Sequence, residues 1–299
     1  MSTSLVTKIL RAVADLPQSF RRTPNPRIVM TLLVKNEEDM IERHLQYHKQ
    51  MGVDAFIVTD NNSTDHTPEI LARYVKKGWI VEVIEEKSSG YEQKKWVDRM
   101  AWLAKTKYHA DWIINADADE FWYAPSGNLK NELGQTDRNV LRCCLYNMLP
   151  DDARPYWQWD KRVLPIPQPN DYNLSPYSIY GRYTYKVAHR AAGYLQISMG
   201  NHKVAMFPKK QANATIYIYH FTIRGREQFL QKMINGGHEL ETHKGRHGGR
   251  HWRYFYELYK QGKLEEEYDR VVGNNVYDRL VTEGYIRQDT TLADFLSKM

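Results

Sequence analysis

The chain has 299 residues, of which 42% are hydrophobic and 26% are charged, with a net charge of +6 and a pI of about 9.0. These values are typical of a soluble globular protein with a sizeable core. No apolar stretch reaches the roughly 18–20 residues that cross a bilayer, and the N-terminus lacks a signal-peptide core, so we predict a cytoplasmic protein. The positive charge is compatible with nucleic acid, an anionic membrane or a phosphorylated substrate as a partner. It does not distinguish among these three.

The first segment, residues 4–22, has the pattern of a basic amphipathic helix. Apolar residues recur at helical spacing with basic residues around them: Leu5, Ile9, Ala12, Val13 and Leu16, with Lys8, Arg11, Arg21 and Arg22. Such a helix rests on a membrane surface, here the inner face, or packs on the domain or a partner. We assign residues 1–26 to this element.

Strands and helices alternate over the next part of the chain. Short β-branched runs predict strands at 27–34, 55–59, 79–84 and 112–116, and helices are predicted at 37–51, 67–76 and 91–105. This alternation predicts an α/β fold with a mostly parallel central sheet flanked by helices. In such sheets, ligands bind beyond the carboxyl ends of the strands.

The pattern changes after residue 139. We predict strands at 140–146 and 215–221, loops or short strands over the site at 150–186, a helix at 227–234 and a helical tail from residue 252. The adjacent Cys143 and Cys144 are predicted to be buried thiols in a reducing compartment. The catalytic domain is therefore assigned to residues 27–240. Residues 241–299 are assigned to a basic loop and a helical C-terminal extension.

The strongest chemical signal is the cluster Asp117, Asp119 and Glu120, directly after a predicted strand. Three carboxylates in four residues repel one another, and a divalent cation relieves that repulsion. Hard oxygen ligands suit Mn²⁺ or Mg²⁺, which could hold a diphosphate as a leaving group. A solvated acidic turn is the alternative.

A second polar loop follows the second strand and contains Asp60 and Asp65. A doubly wound fold places groups that hold a ribose or a base here. Asp65 also suits the N-cap of the helix that begins near Thr67. The segment after the first strand has neither a Gly-x-Gly-x-x-Gly motif nor a Walker-type lysine loop.

These residues carry a family resemblance. The segments VKNEEDMIERHLQYHKQMGVDAFIVTDNNSTDHTPEIL and WIINADADEFW resemble family 2 glycosyltransferases and their relatives with the GT-A fold. The later YHFTIRGREQFLQKMINGG resembles the C-terminal part of a bacterial branch of that group that carries an Asp-Ala-Asp-Glu-Phe motif. The resemblance implies a nucleotide-sugar donor, a divalent metal and inversion at the anomeric carbon.

The resemblance also implies roles for individual residues. Asp60 would bind the nucleoside, Asp117 the ribose or the metal, and Asp119 the metal. In several such enzymes a histidine late in the catalytic domain completes the coordination of the metal. His220 is the first candidate for this histidine and His202 the second. An ordinary hydrogen-bonded histidine is the alternative for either.

Inversion by direct displacement needs a base for the acceptor hydroxyl. The family usually supplies a carboxylate downstream of the Asp-x-Asp motif, and this sequence lacks an obvious Glu-Asp pair there. Glu239 is the favoured candidate, because Gly236 and Gly237 could place it on a loop near the crevice. The other candidates are Glu120, Asp171 and Glu227.

Basic residues supply candidate phosphate contacts. The glycine-rich segment 243–251 predicts a flexible loop that closes over the diphosphate with Lys244, Arg246 and Arg250, or a solvated basic loop. Lys95, beside Lys94 and Arg99, could also meet a phosphate or lie on an exposed helix face.

The sequence thus predicts a metal-dependent inverting hexosyltransferase that moves a sugar, with UDP-sugar as the favoured donor, to a glycan or lipid-linked acceptor in cell-surface polysaccharide synthesis. A sugar nucleotidyltransferase and a non-catalytic nucleotide- or nucleic-acid-binding protein are the alternatives. Nucleic acid is not expected as a partner, since acidic residues crowd the predicted crevice.

Overall fold

The computed structural model describes residues 5–87, 92–182, 184–242 and 249–299. The strands are β1 Ile28–Val34, β2 Ala55–Asp60, β3 Ile80–Glu85, β4 Trp112–Ala116, β5 Glu120–Tyr123, β6 Val140–Asn147, β7 Lys161–Val163, β8 Thr184–Arg190, β9 Tyr194–Ile197, β10 Val204–Met206, β11 Gln211–His220 and β12 Ile286–Gln288. The helices are α1 Leu5–Ala14, α2 Ile41–Gln50, α3 Thr67–Lys76, α4 Gln93–Thr106, α5 Leu129–Gln135, α6 Arg226–Thr242, α7 Arg250–Lys260, α8 Leu264–Val272, α9 Tyr277–Thr282 and α10 Thr291–Leu296. Short 3₁₀ turns lie at Tyr156–Gln158, Pro169–Tyr172, Met199–Asn201 and Asn274–Val276.

The central sheet has the strand order β3-β2-β1-β4-β8-β6-β11-β5. Its first four strands are parallel, and β8 then pairs antiparallel with both β4 and β6. Parallel strands need crossover connections, which α2, α3 and α4 provide. The predicted α/β fold class is confirmed.

The parallel strands are the most buried part of the sheet. Every residue of β2 and of β4 is buried, and β1 is buried at all positions but Leu33. Sheets covered on both faces require such continuous apolar strands, which explains why the predicted strands lack an alternating pattern. The side of α4 that carries Val97, Met100 and Ala101 packs into this core.

The chain divides into two compact units. The first contains Met1–Leu145 and Thr184–Tyr219, and the second contains Tyr146–Tyr183 and His220–Met299. The second unit has its own apolar core, to which α6, α7 and α8 contribute Phe229, Phe255 and Tyr268. This division differs from the predicted one, because the segment 146–183 and helix α6 belong with the C-terminal helices.

Helix α6 corrects the prediction of a loop at Gly236 and Gly237. The helix continues through both glycines to Thr242, so the predicted domain boundary after residue 240 falls inside it. A Cβ atom on Gly237 would lie 2.3 Å from Cβ of Tyr256 in α7, and one on Gly236 would lie 2.9 Å from the ring of Trp252. The glycines therefore allow two helices to approach closely and do not end α6.

The N-terminal helix is shorter than predicted. α1 ends at Ala14, and turns that include the backbone bond from the Gln18 amide to the Asp15 carbonyl follow it. Pro17 cannot continue a hydrogen-bonded helix, which accounts for the end. Both cysteines are free; Cys143 is buried, but Cys144 is only half-buried, which corrects that part of the prediction.

Candidate active site

The loops that follow β1 and β2 are joined by reciprocal hydrogen bonds. The Asn36 amide donates to Oγ of Ser63 at 3.0 Å, and Oδ1 of Asn36 accepts from the Thr64 amide at 2.8 Å. The Glu37 amide donates to Oγ1 of Thr67 at 2.9 Å. Asn36 has a φ of 55°, a left-handed conformation that asparagine tolerates better than most residues. These bonds hold the two loops as one rigid rim.

Asp60 is the last residue of β2 and is 7% exposed. Its Oδ1 accepts from the amide and the hydroxyl of Ser63, at 3.1 and 2.6 Å. Within the described ranges, its Oδ2 has no hydrogen-bond partner. The carboxylate is thus held in one orientation, with one oxygen available to a ligand.

Asp117 and Asp119 follow β4 at the same edge of the sheet as Asp60. β1 pairs with both neighbours, with Val34 opposite Asp60 and Leu32 opposite Ala116. Two strand spacings, about 10 Å, therefore separate the ends of β2 and β4. The structure brings together the two acidic loops that the sequence predicted to share a crevice.

A buried lysine accompanies the acidic cluster. Nζ of Lys186 lies 2.5 Å from Oδ2 of Asp117 and 2.6 Å from Oε1 of Glu120. Ile114 pairs with Ala188, and the same register continued by two residues sets Lys186 opposite Ala116. Burial opposes the charge of Lys186, but the two carboxylates outweigh burial and raise its pKa above the usual range, so it is an ammonium at neutral pH.

Glu120 and Asp117 have different surroundings. Glu120 is 1% exposed, and its Oε2 accepts from the Asp117 amide at 3.2 Å, so its carboxylate orients the turn of the cluster. The side chain of Asp117 is 37% exposed, and its Oδ1 accepts no hydrogen bond from the part of the chain that the structure describes. Asp119 is half-buried. The carboxylates of Asp117 and Asp119 fit a Mn²⁺ or Mg²⁺ ion, for which such oxygens are the usual ligands.

Two histidines of α2 hold β5 in place after the cluster. Nε2 of His44 lies 3.1 Å from the Glu120 carbonyl, and Nε2 of His48 accepts from the Trp122 amide at 3.0 Å. Nδ1 of His48 faces the His44 carbonyl at 2.9 Å and therefore carries the proton. Burial lowers the pKa of His44 to about 4, and burial also lowers the pKa of His48, so both rings are neutral at pH 7.

His220, the first candidate for a histidine ligand, is the last residue of β11. Its Nδ1 lies 3.0 Å from Oδ1 of Asn147, whose Nδ2 donates to the Ile179 carbonyl at 2.8 Å. This orients the amide of Asn147, so Nδ1 of His220 donates and Nε2 carries the lone pair of the neutral ring. Metal-binding histidines are commonly oriented by such a bond. His202, the second candidate, has Nδ1 2.8 Å from the Tyr185 carbonyl.

The predicted site residues Asp65, Lys95 and Glu239 also lie in the described part of the chain. Both oxygens of Asp65 accept backbone amides, from Thr67 at 2.9 Å and Glu38 at 3.1 Å. Lys95 is exposed on α4 and pairs with Glu92 at 2.8 Å. Glu239 is half-buried on α6 rather than on a loop.

The predicted basic loop is described only at its C-terminal end. Arg250 is the first residue of α7 and is exposed, so this residue is helical and not part of a flexible loop. Lys244 and Arg246 lie outside the described residues. Their predicted phosphate contacts stay predictions.

Lys186, His44 and His48 were not predicted as site residues from the sequence. The spacing of four between the histidines within a predicted helix is the signal that could have placed them on one face. Lys186 gives no local signal, because it lies far along the chain in a segment predicted as loops or short strands. Only the pairing of β8 with β4 brings it to the cluster.

The fold and the site define an α/β protein whose polar and acidic loops lie at the carboxyl ends of parallel strands, the usual ligand position in this class. The sequence profile described as "Glycosyltransferase family 92" matches residues 30–244, which is well over half of the chain. The chain belongs to glycosyltransferase family 92. The predicted resemblance is therefore confirmed as a glycosyltransferase, while the finer resemblance to family 2 is not.

The chain is also similar to several solved structures. TarS 1–349 of S. aureus is 17% identical, with 82% of this chain and 71% of that chain covered and a TM-score of 0.38. The mannosyltransferase PcManGT of Pyrobaculum calidifontis, in complex with GDP-Man and Mn²⁺, is 13% identical, with 93% and 86% covered and a TM-score of 0.40. Glucosyl-3-phosphoglycerate synthase of Mycobacterium tuberculosis, in complex with Mn²⁺, UDP and glucosyl-3-phosphoglycerate, is 19% identical, with 49% of each chain covered and a TM-score of 0.28.

These TM-scores are below 0.5, which is too low to transfer an activity to this chain. A comparison with curated proteins found no significant match. Among the helices that the structure describes, none has the length and apolar character needed to cross a membrane.

Proposed function

We propose that the chain transfers a hexose from a UDP-sugar, with inversion, to a glycan or lipid-linked acceptor in cell-surface polysaccharide synthesis. The observation that carries the proposal is the acidic cluster after β4, within the segment that matches the glycosyltransferase family. Family membership also favours sugar transfer over the alternatives of a nucleotidyltransferase or a nucleic-acid-binding protein.

The donor would be held along the edge where β1, β2 and β4 end. Ser63 holds Oδ1 of Asp60, which leaves Oδ2 for the nucleoside, and hydrogen bonds join the two loops of the rim. A rigid, prearranged site binds without the cost of ordering its own loops. Lys95 and Arg250, and Arg246 with them, are the proposed cationic contacts to the diphosphate.

Asp117 and Asp119 are the proposed ligands of Mn²⁺ or Mg²⁺, with His220 as the predicted histidine ligand. When bound, the ion would stabilise the negative charge of the departing nucleoside diphosphate. Lys186 fixes one oxygen of Asp117 and leaves the other for the ion. Asp65, in contrast, uses both oxygens within the loops, which favours a structural role for this residue.

The catalytic base stays a prediction, with Glu239 favoured over Glu120. Glu120 is buried and bound to Lys186, an environment that favours a positioning role. If Glu239 is the base, Glu239→Gln lowers kcat by at least about 100-fold at unchanged donor KM. Glu241→Gln, at an exposed position on the same helix, is the control, and equal kcat values for the two variants would remove Glu239 from consideration.

Thermal unfolding with nucleotides tests the donor and the metal together. We expect UDP with Mn²⁺ to raise the Tm, because a ligand that binds only the native state stabilises it. Asp119→Ala should retain its fold and lose this rise, and release of UDP from UDP-sugars should fall with it. A folded wild-type protein with no Tm response to any nucleoside diphosphate, with Mn²⁺ or Mg²⁺, would refute the proposal.

A further inference from the structure

Helix α1 packs its polar side against the rest of the first unit. Ala12 is fully buried, and Nζ of Lys8 lies 2.7 Å from Oδ2 of Asp98 and 5.0 Å from the ring centroid of Trp102. Just beyond the helix, Oδ2 of Asp15 accepts from Nζ of Lys105 at 2.5 Å. Ion pairs on mostly buried side chains thus set the orientation of α1.

The opposite side of α1 is an exposed apolar stripe. Val6, Ile9, Leu10 and Val13 are 67, 43, 66 and 45% exposed. At 100° per residue, these four positions fall within an arc of about 100°. In a helix that only covers its own domain, such an arc faces the core. Here it faces solvent, as contiguous apolar patches do when they serve as interaction surfaces.

Three exposed arginines lie on α1 and on the segment that follows it. Arg11 is exposed on α1, and Arg21 and Arg22 are exposed where the chain leaves the turn. Arg21 and Arg22 also line a pocket of about 380 Å³ together with Gln18, Asp111 and the buried Arg190. Arg190 already donates to two backbone carbonyls, so the two exposed guanidinium groups carry the positive charge that favours an anionic ligand. Arginine binds phosphate groups with paired hydrogen bonds.

We propose that α1 and this arginine pocket form a docking surface for a bilayer that contains anionic lipids. The apolar stripe enters the boundary between headgroups and acyl chains, and the arginines contact lipid phosphates. A second copy of the chain fits less well, because the net charge of +6 on each chain opposes the association of two like surfaces. The proposal is independent of the transfer reaction, since none of these residues belongs to the proposed donor site.

Vesicle co-sedimentation tests the surface directly. We expect the full chain to bind vesicles of phosphatidylcholine with phosphatidylglycerol, and to bind phosphatidylcholine alone far more weakly. Raising the salt concentration should release the protein, because the lipid charge is screened. Val6→Ser/Leu10→Ser should lower the partition coefficient by roughly tenfold or more. Arg21→Gln/Arg22→Gln should lower it by roughly 25-fold, since each arginine contributes about fivefold.

The control is Val75→Ser, which removes an exposed valine from α3 and should bind as the wild type does. Circular dichroism spectra and Tm values should be the same in all variants, because the substituted side chains are exposed. Absence of wild-type binding to anionic vesicles overturns the proposal, as does undiminished binding of the Val6→Ser/Leu10→Ser variant. Concentration-dependent dimers that this variant abolishes, without vesicle binding, would assign the stripe to a second copy instead.

Discussion

Nζ of Lys186 lies 2.5 Å from Oδ2 of Asp117, so a fixed cation accompanies the acidic cluster at the end of β4. The same ammonium is 2.6 Å from Glu120, which has almost no contact with solvent. The charges of the cluster are thus partly offset by the protein itself. One carboxylate oxygen of Asp117 is fixed in position, and the other accepts no hydrogen bond from the described residues.

Removal of this ammonium should strongly destabilise the protein. Lys186→Met leaves Glu120 as a buried carboxylate without its cation, so we expect the free energy of unfolding to fall by about 3–5 kcal/mol. Urea denaturation at pH 7 measures the change. The control is Lys95→Met, which breaks an exposed pair and should cost less than about 1 kcal/mol. Equal stability of the two variants would show that Lys186 does not carry this role.

Asp60 and Asp65 should separate ligand binding from loop stability. Asp65→Ala removes two acceptors of backbone amides, so we expect a loss of about 1–2 kcal/mol in stability. The rise in Tm of this variant on addition of UDP and Mn²⁺ should remain. Asp60→Ala should lose that rise. If Asp65→Ala instead abolishes the nucleotide response while its Tm without ligand stays at the wild-type value, Asp65 contacts the donor.

Stability should decrease as the pH falls from about 6.5 to 4. Burial lowers the pKa of His189 from 6.5 to about 4, as it does for His44, so between these values the unfolded chain binds protons that the folded chain does not. Unfolding then takes up protons, and each such histidine contributes up to about 1.4 kcal/mol per pH unit. Above pH 6.5 these histidines no longer make the free energy of unfolding depend on pH.

The variant His189→Gln tests this assignment. Nε2 of His189 accepts from Nδ2 of Asn115 at 3.1 Å, and glutamine offers an acceptor without a titrating ring. In urea denaturation from pH 4.5 to 7, the free energy of unfolding of this variant should depend less steeply on pH than that of the wild type. The difference in slope should correspond to about one proton. A slope equal to that of the wild type would mean that His189 takes up its proton over the same pH range in the folded protein as in the unfolded chain.

Gly237→Ala should destabilise the second unit, although alanine is the better helix former. The new Cβ would lie 2.3 Å from Cβ of Tyr256, so α6 and α7 must separate, and we expect a cost of about 1–3 kcal/mol. Asn235→Ala, an exposed position on the same helix, is the control and should be neutral or slightly stabilising. A stabilising Gly237→Ala would show that the two helices do not pack as described.

Local patterns alone predicted the parallel half of the sheet and the edge at which the candidate site lies. Strands β1, β2 and β4 are short apolar runs, and the helices between them are periodic, so both can be read from neighbouring residues. Asp60 is the last residue of β2, and Asp117 directly follows β4. Their shared edge then follows from the geometry of right-handed crossovers.

The tertiary structure alone decided which partners these residues have. Lys186 meets Asp117 through the pairing of β8 with β4, and Gly237 meets Tyr256 through the approach of two helices. The amphipathic pattern of α1 was visible in the sequence, but not that Lys8 would bind Asp98 and turn Leu10 to solvent. Hydrophobic periodicity shows that a helix has two faces. Which face is buried depends on ion pairs between residues far apart in the chain, and those contacts exist only in the folded protein.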